Sequence, residues 1–414
     1  EGQLLLTALG NLEDADGLPA FPAGFSFQWQ WSANTTTWRD IAGATGDTFA
    51  PTQDEVNRFL RVQITYTDGI GSTHRVNSAV TARVGDFIDL SATGNVADDV
   101  RGSNGADIVL SGAGNDVIRG FDGGDDLSGQ GGNDTFIGGA GNDTMNGGGG
   151  NDEFVAVEAG DVILGGAGID RILTAENTYT IHASVEELIF NGLGDFTGTG
   201  NAAANFIRGN GGNDVIDGLG GADRMAGLDG NDTYFVDSST DIVSEGVDMG
   251  IDTVFASASF SISNNVEVLD LIGNADINGT GSAANNLING NGGINQLRGL
   301  GGDDELFGRG GSDRLFGDDG NDRLIGGDGD DLVRGGAGDD VLIGNAGNDT
   351  FFGDAGSDSF RFNREQGFGS DRIRDFQDGV DLIDLRGLGL TAAALTVDNV
   401  IEISATGAGG IHTR

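Results

Sequence analysis

Apolar and polar positions along this chain follow two different periods. Near the N-terminus Phe25, Phe27, Trp29 and Trp31 alternate with Ser26, Gln28 and Gln30, which is the period of a half-buried strand. A second alternating run, Leu60, Val62, Ile64 and Tyr66, leads into the turn signal Asp68-Gly69, and Val76 to Val84 reads as a last strand. Residues 1–85 therefore predict a small all-β domain. They hold all three tryptophans (Trp29, Trp31, Trp38) and all three prolines, and core packing is the favoured reading of the paired aromatics over a sugar-stacking surface.

From Thr93 the period becomes nine. Counting each frame from its first glycine-like place, the sixth place is Asp98, Asp107, Asp116, Asp125, Asp134, Asp143, Asp152, Asp161 and Asp170, and the eighth is always apolar, from Val100 and Val109 to Ile163 and Ile172. Four further frames start at Gly200, with Asn205, Asp214, Asp223 and Asp232 at the sixth place. Nine more start at Gly281, with Asn286, Asn295, Asp304, Asp313, Asp322, Asp331, Asp340, Asp349 and Asp358. Nineteen of the 22 frames thus carry aspartate there.

The two interruptions resemble each other at an offset of 81 residues: Tyr179, Ile181, Val185, Glu186, Leu188, Gly198 and Asn205 match Phe260, Ile262, Val266, Glu267, Leu269, Gly279 and Asn286. The apolar alternation around Val266, Val268 and Leu271 predicts strands that continue the stack. The organisation expected is 1–85, a first repeat block 86–173, a strand-rich insert 174–199, a second block 200–235, a second insert 236–280, a third block 281–361 and a C-terminal cap 362–414.

Composition sharpens this picture. Glycine fills 77 of 414 places, cysteine none, and 65 acidic residues face 21 basic ones, all arginine, for a formal charge of −44. Disulfides, thiolate metal sites and cysteine nucleophiles are excluded. Nucleic acid and anionic membrane surfaces are poor partners for such a charge, and no apolar run is long enough to span a bilayer. High charge with low hydrophobicity could mean disorder, but the strict order of the residues argues otherwise. The chain opens at Glu1 without a basic-then-apolar leader, so no signal peptide is visible and the sequence reads as a piece of something larger.

Glycine recurs where a backbone must turn tightly and let carbonyls approach an ion. Aspartate supplies the short, hard oxygen ligand that calcium prefers. One apolar residue per nine buries too little to hold the chain by itself, and stacked carboxylates repel, so without metal the repeat is expected to be expanded. Aspartates that merely cap turns are the competing reading. The frames with Asn205, Asn286 and Asn295 offer a weaker ligand, and the frame at Thr93 lacks most of its glycines.

Frames such as Gly138-Gly-Ala-Gly-Asn-Asp-Thr-Met-Asn and Gly335-Gly-Ala-Gly-Asp-Asp-Val-Leu-Ile resemble the hemolysin-type calcium-binding nonapeptide of the repeats-in-toxin (RTX) family, G-G-x-G-x-D-x-U-x, with U apolar. The resemblance spans about 93–361. It implies a calcium-stabilised parallel β-roll, or β-solenoid, in which each nonapeptide makes a six-residue turn and a three-residue strand and two close one coil of 18. The sixth-place aspartates would then form two ladders in the first block, Asp98, Asp116, Asp134, Asp152 and Asp170 beside Asp107, Asp125, Asp143 and Asp161. Sites between frames two apart would number up to about 16, and as many Ca2+ ions would bring the charge to about −12. The resemblance further implies type I export, with calcium-poor cytosol keeping the chain threadable and external calcium folding it, hence a secreted or cell-surface bacterial protein.

Two smaller resemblances flank the repeats. The stretches Phe25-Ser-Phe-Gln-Trp-Gln, Ile41-Ala-Gly-Ala-Thr-Gly and Leu60-Arg-Val-Gln-Ile-Thr-Tyr-Thr-Asp resemble bacterial immunoglobulin-like modules, implying an all-β sandwich before the roll. Phe360-Arg-Phe, Gly369-Ser-Asp-Arg-Ile-Arg-Asp-Phe and Gly379-Val-Asp-Leu-Ile-Asp-Leu resemble the segment that caps such repeats, while the family's closing strands and apolar tail are not evident. The order of modules is similar to the C-terminal part of large secreted haem-peroxidase-like proteins, whose catalytic domain would lie before Glu1.

Catalytic residues are not expected. Only His74, His182 and His412 are present, all read as surface residues, and neither H-E-x-x-H nor G-x-S-x-G occurs. Without lysine there is no phosphate-binding loop, and a repeat treats all its carboxylates alike, unlike a glycosidase pair. The leading expectation is a non-catalytic, extracellular, calcium-folded module whose partners are calcium and the type I secretion machinery. The competing one is a surface-layer, filament or matrix protein that self-associates through the roll or binds a cell-surface polysaccharide.

Overall fold

The computed structural model describes residues 24–67, 71–81, 83–92, 94–247, 250–362, 369–388 and 402–403; the expected turn at Asp68-Gly69 lies outside them. The chain divides into two compact units, one of residues 1–176 and 184–187, the other of 177–183 and 188–414.

The first unit opens with an antiparallel sheet in the order β2-β1-β3-β4, formed by β1 (Phe25–Ser32), β2 (Arg39–Asp40), β3 (Phe59–Thr67) and β4 (Thr73–Asn77). Trp29 lies opposite Val62 and Phe27 opposite Ile64, and these four pack with Ala44 as a core. Trp29 also donates its indole N–H to the Gly46 carbonyl at 3.1 Å, so its one polar atom is satisfied. Trp31 leaves the core pattern: it is half-buried beneath the guanidinium of Arg58, 3.7 Å from the ring centre. The strand expected over 76–84 is interrupted. Ser78 and Thr81 still donate their backbone N–H groups to the Val62 and Leu60 carbonyls, but it is Ser78 Oγ and Thr81 Oγ1, not carbonyls, that accept the N–H groups of Val62 and Leu60. Val84–Asp89 then forms β5, which pairs in parallel with Ala106–Leu110.

The repeats wind as parallel strands whose register advances by 18 residues, as in Phe136↔Phe154 and Met145↔Ile163. Successive nonapeptides enter two facing sheets alternately, so each coil closes in two frames. In the second unit one sheet runs through twelve strands from Thr178–Thr180 to Leu382–Asp384, and another through eight from Phe260–Ser261 to Glu402–Ile403. The eighth-place side chains of all 22 frames, from Val100 to Phe360, are buried between the sheets. Those columns are the main apolar core of the repeats, joined by a few other buried side chains such as Val157, Val236 and Ile343.

Strands are longer than the three residues the resemblance implies, reaching six in runs such as Thr144–Gly149 and Arg323–Asp328. Fourth-place glycines explain the tight coil: Gly141 has φ +147°, and a Cβ there would strike the Gly123 carbonyl of the coil before. The inserts continue the stack as the alternation predicts, with Val268–Leu271 paired to Thr253–Ala256 and to Leu287–Asn289. Beyond the last frame, Arg372–Ile373 and Leu382–Asp384 extend the two sheets.

Candidate metal centre

Each coil leaves its turn along the sixth place, and there the aspartates stack. The N–H of one sixth-place residue donates to Oδ1 of the residue 18 further on, at 2.8 Å for Asp116 to Asp134, Asp304 to Asp322 and Asp322 to Asp340. Both ladders expected in the first block are present, Asp98 to Asp170 and Asp107 to Asp161. Eighteen of the nineteen aspartates are buried, and Asp98, at the start, is half-buried.

The second carboxylate oxygen divides the frames into two classes. In fifteen (Asp116, Asp125, Asp134, Asp143, Asp152, Asp170, Asp223, Asp232, Asp304, Asp313, Asp322, Asp331, Asp340, Asp349 and Asp358) Oδ2 is buried without a hydrogen-bond partner. In every one of these frames the second-place residue has positive φ, even where it is Phe121 (+79°), Leu228 (+86°) or Leu300 (+82°). We term these open turns. A buried carboxylate oxygen without a partner is costly, as is the left-handed backbone at a branched or bulky residue.

In the closed turns the chain satisfies the side chain itself. The second-place N–H donates to the sixth-place side chain from Ser103 to Asp107, Asn201 to Asn205, Asn210 to Asp214, Ser282 to Asn286 and Asn291 to Asn295, at 2.6–2.9 Å. Asp161 is closed by the N–H of Glu158. Second-place side chains hold the bend: Asn201 and Asn291 each accept the N–H two residues on at 2.8 Å, and Ser103 and Ser282 do so through Oγ.

First-place glycines shape the open site. A Cβ on Gly120, Gly299 or Gly317 would run into Oδ2 of its own frame's aspartate and into the first-place carbonyl oxygen of the next coil. Absence of that carbon lets a carboxylate oxygen and a backbone carbonyl converge on one cradle. Among the described residues no three acidic or histidine side chains converge, so an ion held here must draw on carbonyls as well as carboxylates. That is a donor set suited to calcium, a hard cation that takes six to eight oxygens. The orphaned oxygen and the glycine cradle both fit it.

Electrostatics agree. Burial pushes these carboxyls up, to about 6 for Asp125, Asp134, Asp170 and Asp223, about 7 for Asp304 and Asp349, and about 8 for Asp232, Asp331 and Asp340. The N–H bond on Oδ1 pulls the other way, and neighbouring carboxylates raise most of them further. Arginines answer other acids on the outer faces, as in Arg298 with Asp318, Arg334 with Asp354 and Arg323 with Glu305. None of these pairs involves one of the fifteen.

Sequence reading missed six ladder members. Asp170, Asp223, Asp232, Asp252, Asp349 and Asp358 donate their N–H groups to Glu186, Asp241, Asp252, Glu267, Asp371 and Asp381 at 2.8–3.1 Å. Glu186 and Glu267 were visible as a matched pair at the offset of 81, and Asp241 stands nine residues after Asp232 in a frame without glycines. Asp371 and Asp381 fall 22 and 23 residues after their partners, so no period reveals them. Of the histidines, His74 stacks on Tyr66 with ring centres 5.1 Å apart, His182 is half-buried, and His412 lies outside the described residues.

The model of the RTX calcium-binding nonapeptide repeat matches residues 92–120, 119–154 and 199–234 and, in overlapping copies, 280–315, 289–324, 307–342 and 325–360. Residues 10–84 match a domain of unknown function, DUF8696. No curated protein matches the chain. The chain carries RTX repeats, which bind calcium, and they form a parallel β-solenoid. That arrangement is structural, and no catalytic family is indicated. Among the described residues no helix is long and apolar enough to cross a membrane.

Proposed function

We propose that this chain is the calcium-folded structural region of a secreted protein, and that its open turns are the calcium sites. The observation that carries the reading is the column of buried, partnerless Oδ2 atoms, which in frames such as those of Gly120, Gly129, Gly299 and Gly317 lie across a glycine from a carbonyl of the next coil. The fifteen aspartates of the open turns are the ligands. Asp107, Asp161 and Asp214, already satisfied by the backbone, are supports, as are Asn205, Asn286 and Asn295. Uncompensated, the column opposes folding; with calcium bound, the same oxygens become the bonds between coils, and metal binding and folding are one equilibrium.

Such a switch suits export through a channel by type I machinery. A chain of charge −44 stays extended where calcium is scarce and winds up where it is millimolar. The N-terminal sheet, with an apolar core of its own, serves as an immunoglobulin-like spacer.

Calcium titration of the whole chain, followed by circular dichroism and by counting bound ions, tests this. Expected is a cooperative rise of β signal that saturates at about fifteen ions per chain. A β-rich spectrum that persists through strong chelation, or a saturated count of only one or two ions, would overturn it.

A further inference from the structure

Two runs of open turns end at a carboxylate that comes from outside the nonapeptides. The last frame of the second block begins at Gly227, and its N–H donates to Oε1 of Glu245 at 3.0 Å while that of Leu228 donates to Oε2 at 3.2 Å. The last frame of the third block begins at Gly353, and there the N–H groups of Gly353 and Asp354 donate to Oδ1 and Oδ2 of Asp375 at 3.0 and 2.9 Å. Glu245 stands 18 residues after Gly227 and so takes the place of the next first-place glycine; Asp375, after a longer loop, takes the same position in space. The first block ends differently, with the Ser184 hydroxyl on the Gly165 N–H.

At both ends a second oxygen points at the same spot. Oδ2 of Asp232 and of Asp358 is buried without a partner, and a Cβ on Gly227 or Gly353 would strike it. Each end therefore brings an orphaned aspartate oxygen and a bidentate carboxylate together around one glycine. Charged groups bearing on Asp232 are Asp214, Glu245 and Asp252, and those bearing on Asp358 are Asp381, Asp375 and Asp339, all negative. Two carboxylates facing one another with no cation between them repel, while each oxygen that accepts an N–H keeps a lone pair for a metal.

From this geometry we infer that two of the open-turn sites, those of Asp232 and Asp358, are two-carboxylate calcium sites, completed by Glu245 and by Asp375, an acid from the flanking segment replacing the carbonyl that the next coil supplies elsewhere. The inference rests on the reading of the open turns as calcium sites. With two carboxylates instead of one, these end sites hold their ion more tightly than the interior ones and close the run against unwinding.

Ion counting on the whole chain with the variants E245Q, D375N and, as an interior control, D331N tests it. Each end variant is expected to lose the ion of highest affinity, and the double variant two. Terbium gives a second readout, because the Tyr234 hydroxyl accepts the Gly227 N–H at 2.6 Å and so lies beside the first end site. Tyrosine-sensitised terbium emission is expected to fall several-fold in E245Q and in Y234F, with the ion count lowered only in E245Q. Unchanged count and emission in E245Q, with D331N still losing an ion, would overturn the end sites and leave the interior reading standing. Loss of no ion in D331N would overturn the interior reading itself. Should E245Q not fold, the count for D375N decides.

Discussion

Asp214 and Asp232 stand in the same ladder one coil apart, yet their second oxygens have opposite fates. Asp214 Oδ2 accepts the Asn210 N–H at 2.9 Å, whereas Asp232 Oδ2 accepts nothing from the chain. The residue at the second place makes the difference. Asn210 presents its N–H to the carboxylate, while Leu228, at φ +86°, turns its own away toward Glu245. A closed turn is satisfied within the polypeptide; an open turn leaves one buried carboxylate oxygen without a partner, which is where we propose calcium binds. In the second and third blocks closed turns come first, at Asn201 and Asn210 and at Ser282 and Asn291, and open turns follow; in the first block closed turns at Ser103 and at Asp161 flank the open ones from Asp116 to Asp152.

Calcium removal should separate regions most sharply. All three tryptophans lie in 29–38, and Trp29 is buried in the N-terminal sheet. Chelation is expected to abolish most far-ultraviolet β signal while tryptophan emission keeps its buried, blue-shifted position. Concerted loss of both signals would mean that the sheet, too, depends on the open turns.

Acid should act next, and with a definite sign. Folded-state carboxyls are raised from near 4 to about 6–8 at Asp125, Asp304, Asp331 and Asp340, so without metal their contribution favours the fold below about pH 4 and is lost as pH rises to 8. A chelated sample is expected to gain β signal on acidification from pH 8 to 5, as circular dichroism would record. A chelated chain whose spectrum does not change over that range would break the link between burial and the cost of the open turns.

Single substitutions come third. D331N, in an open turn, is expected to lose one ion and about 2.7 kcal/mol of calcium-linked stability at a hundredfold excess over Kd. D214N, in a closed turn, should lose none, as ion counting and thermal melts would record. The smallest effect is a gain: S282G with N286D should convert a closed turn to an open one and add a single ion to the count. Equal behaviour of D331N and D214N would erase the distinction between the turns.

Much of this was legible in the sequence because a solenoid repeats its local rules. The nine-residue period placed the buried column from Val100 to Phe360 and the aspartate ladders, and the offset of 81 exposed Glu186 and Glu267, though not their role. Trp31 escaped, since alternation cannot show that Arg58 would cover its ring. So did the break after Asn77, where the hydroxyls of Ser78 and Thr81 stand in for carbonyls as acceptors of β3 N–H groups.

What the sequence determined by itself is the spacing: which side chains fall inside the coil, and that an acid stands at the sixth place. Whether that acid's second oxygen is paired by the chain or left without a partner was decided only in three dimensions. It depends on one backbone angle at the second place. Asn210 and Asn345 illustrate the limit, being the same residue in the same place, one closing its turn and the other, at φ +76°, leaving Asp349 open. Asn210 is held by the coil before it, whose Gly192 carbonyl accepts its side-chain amide at 2.6 Å, a contact between coils that local spacing does not reveal.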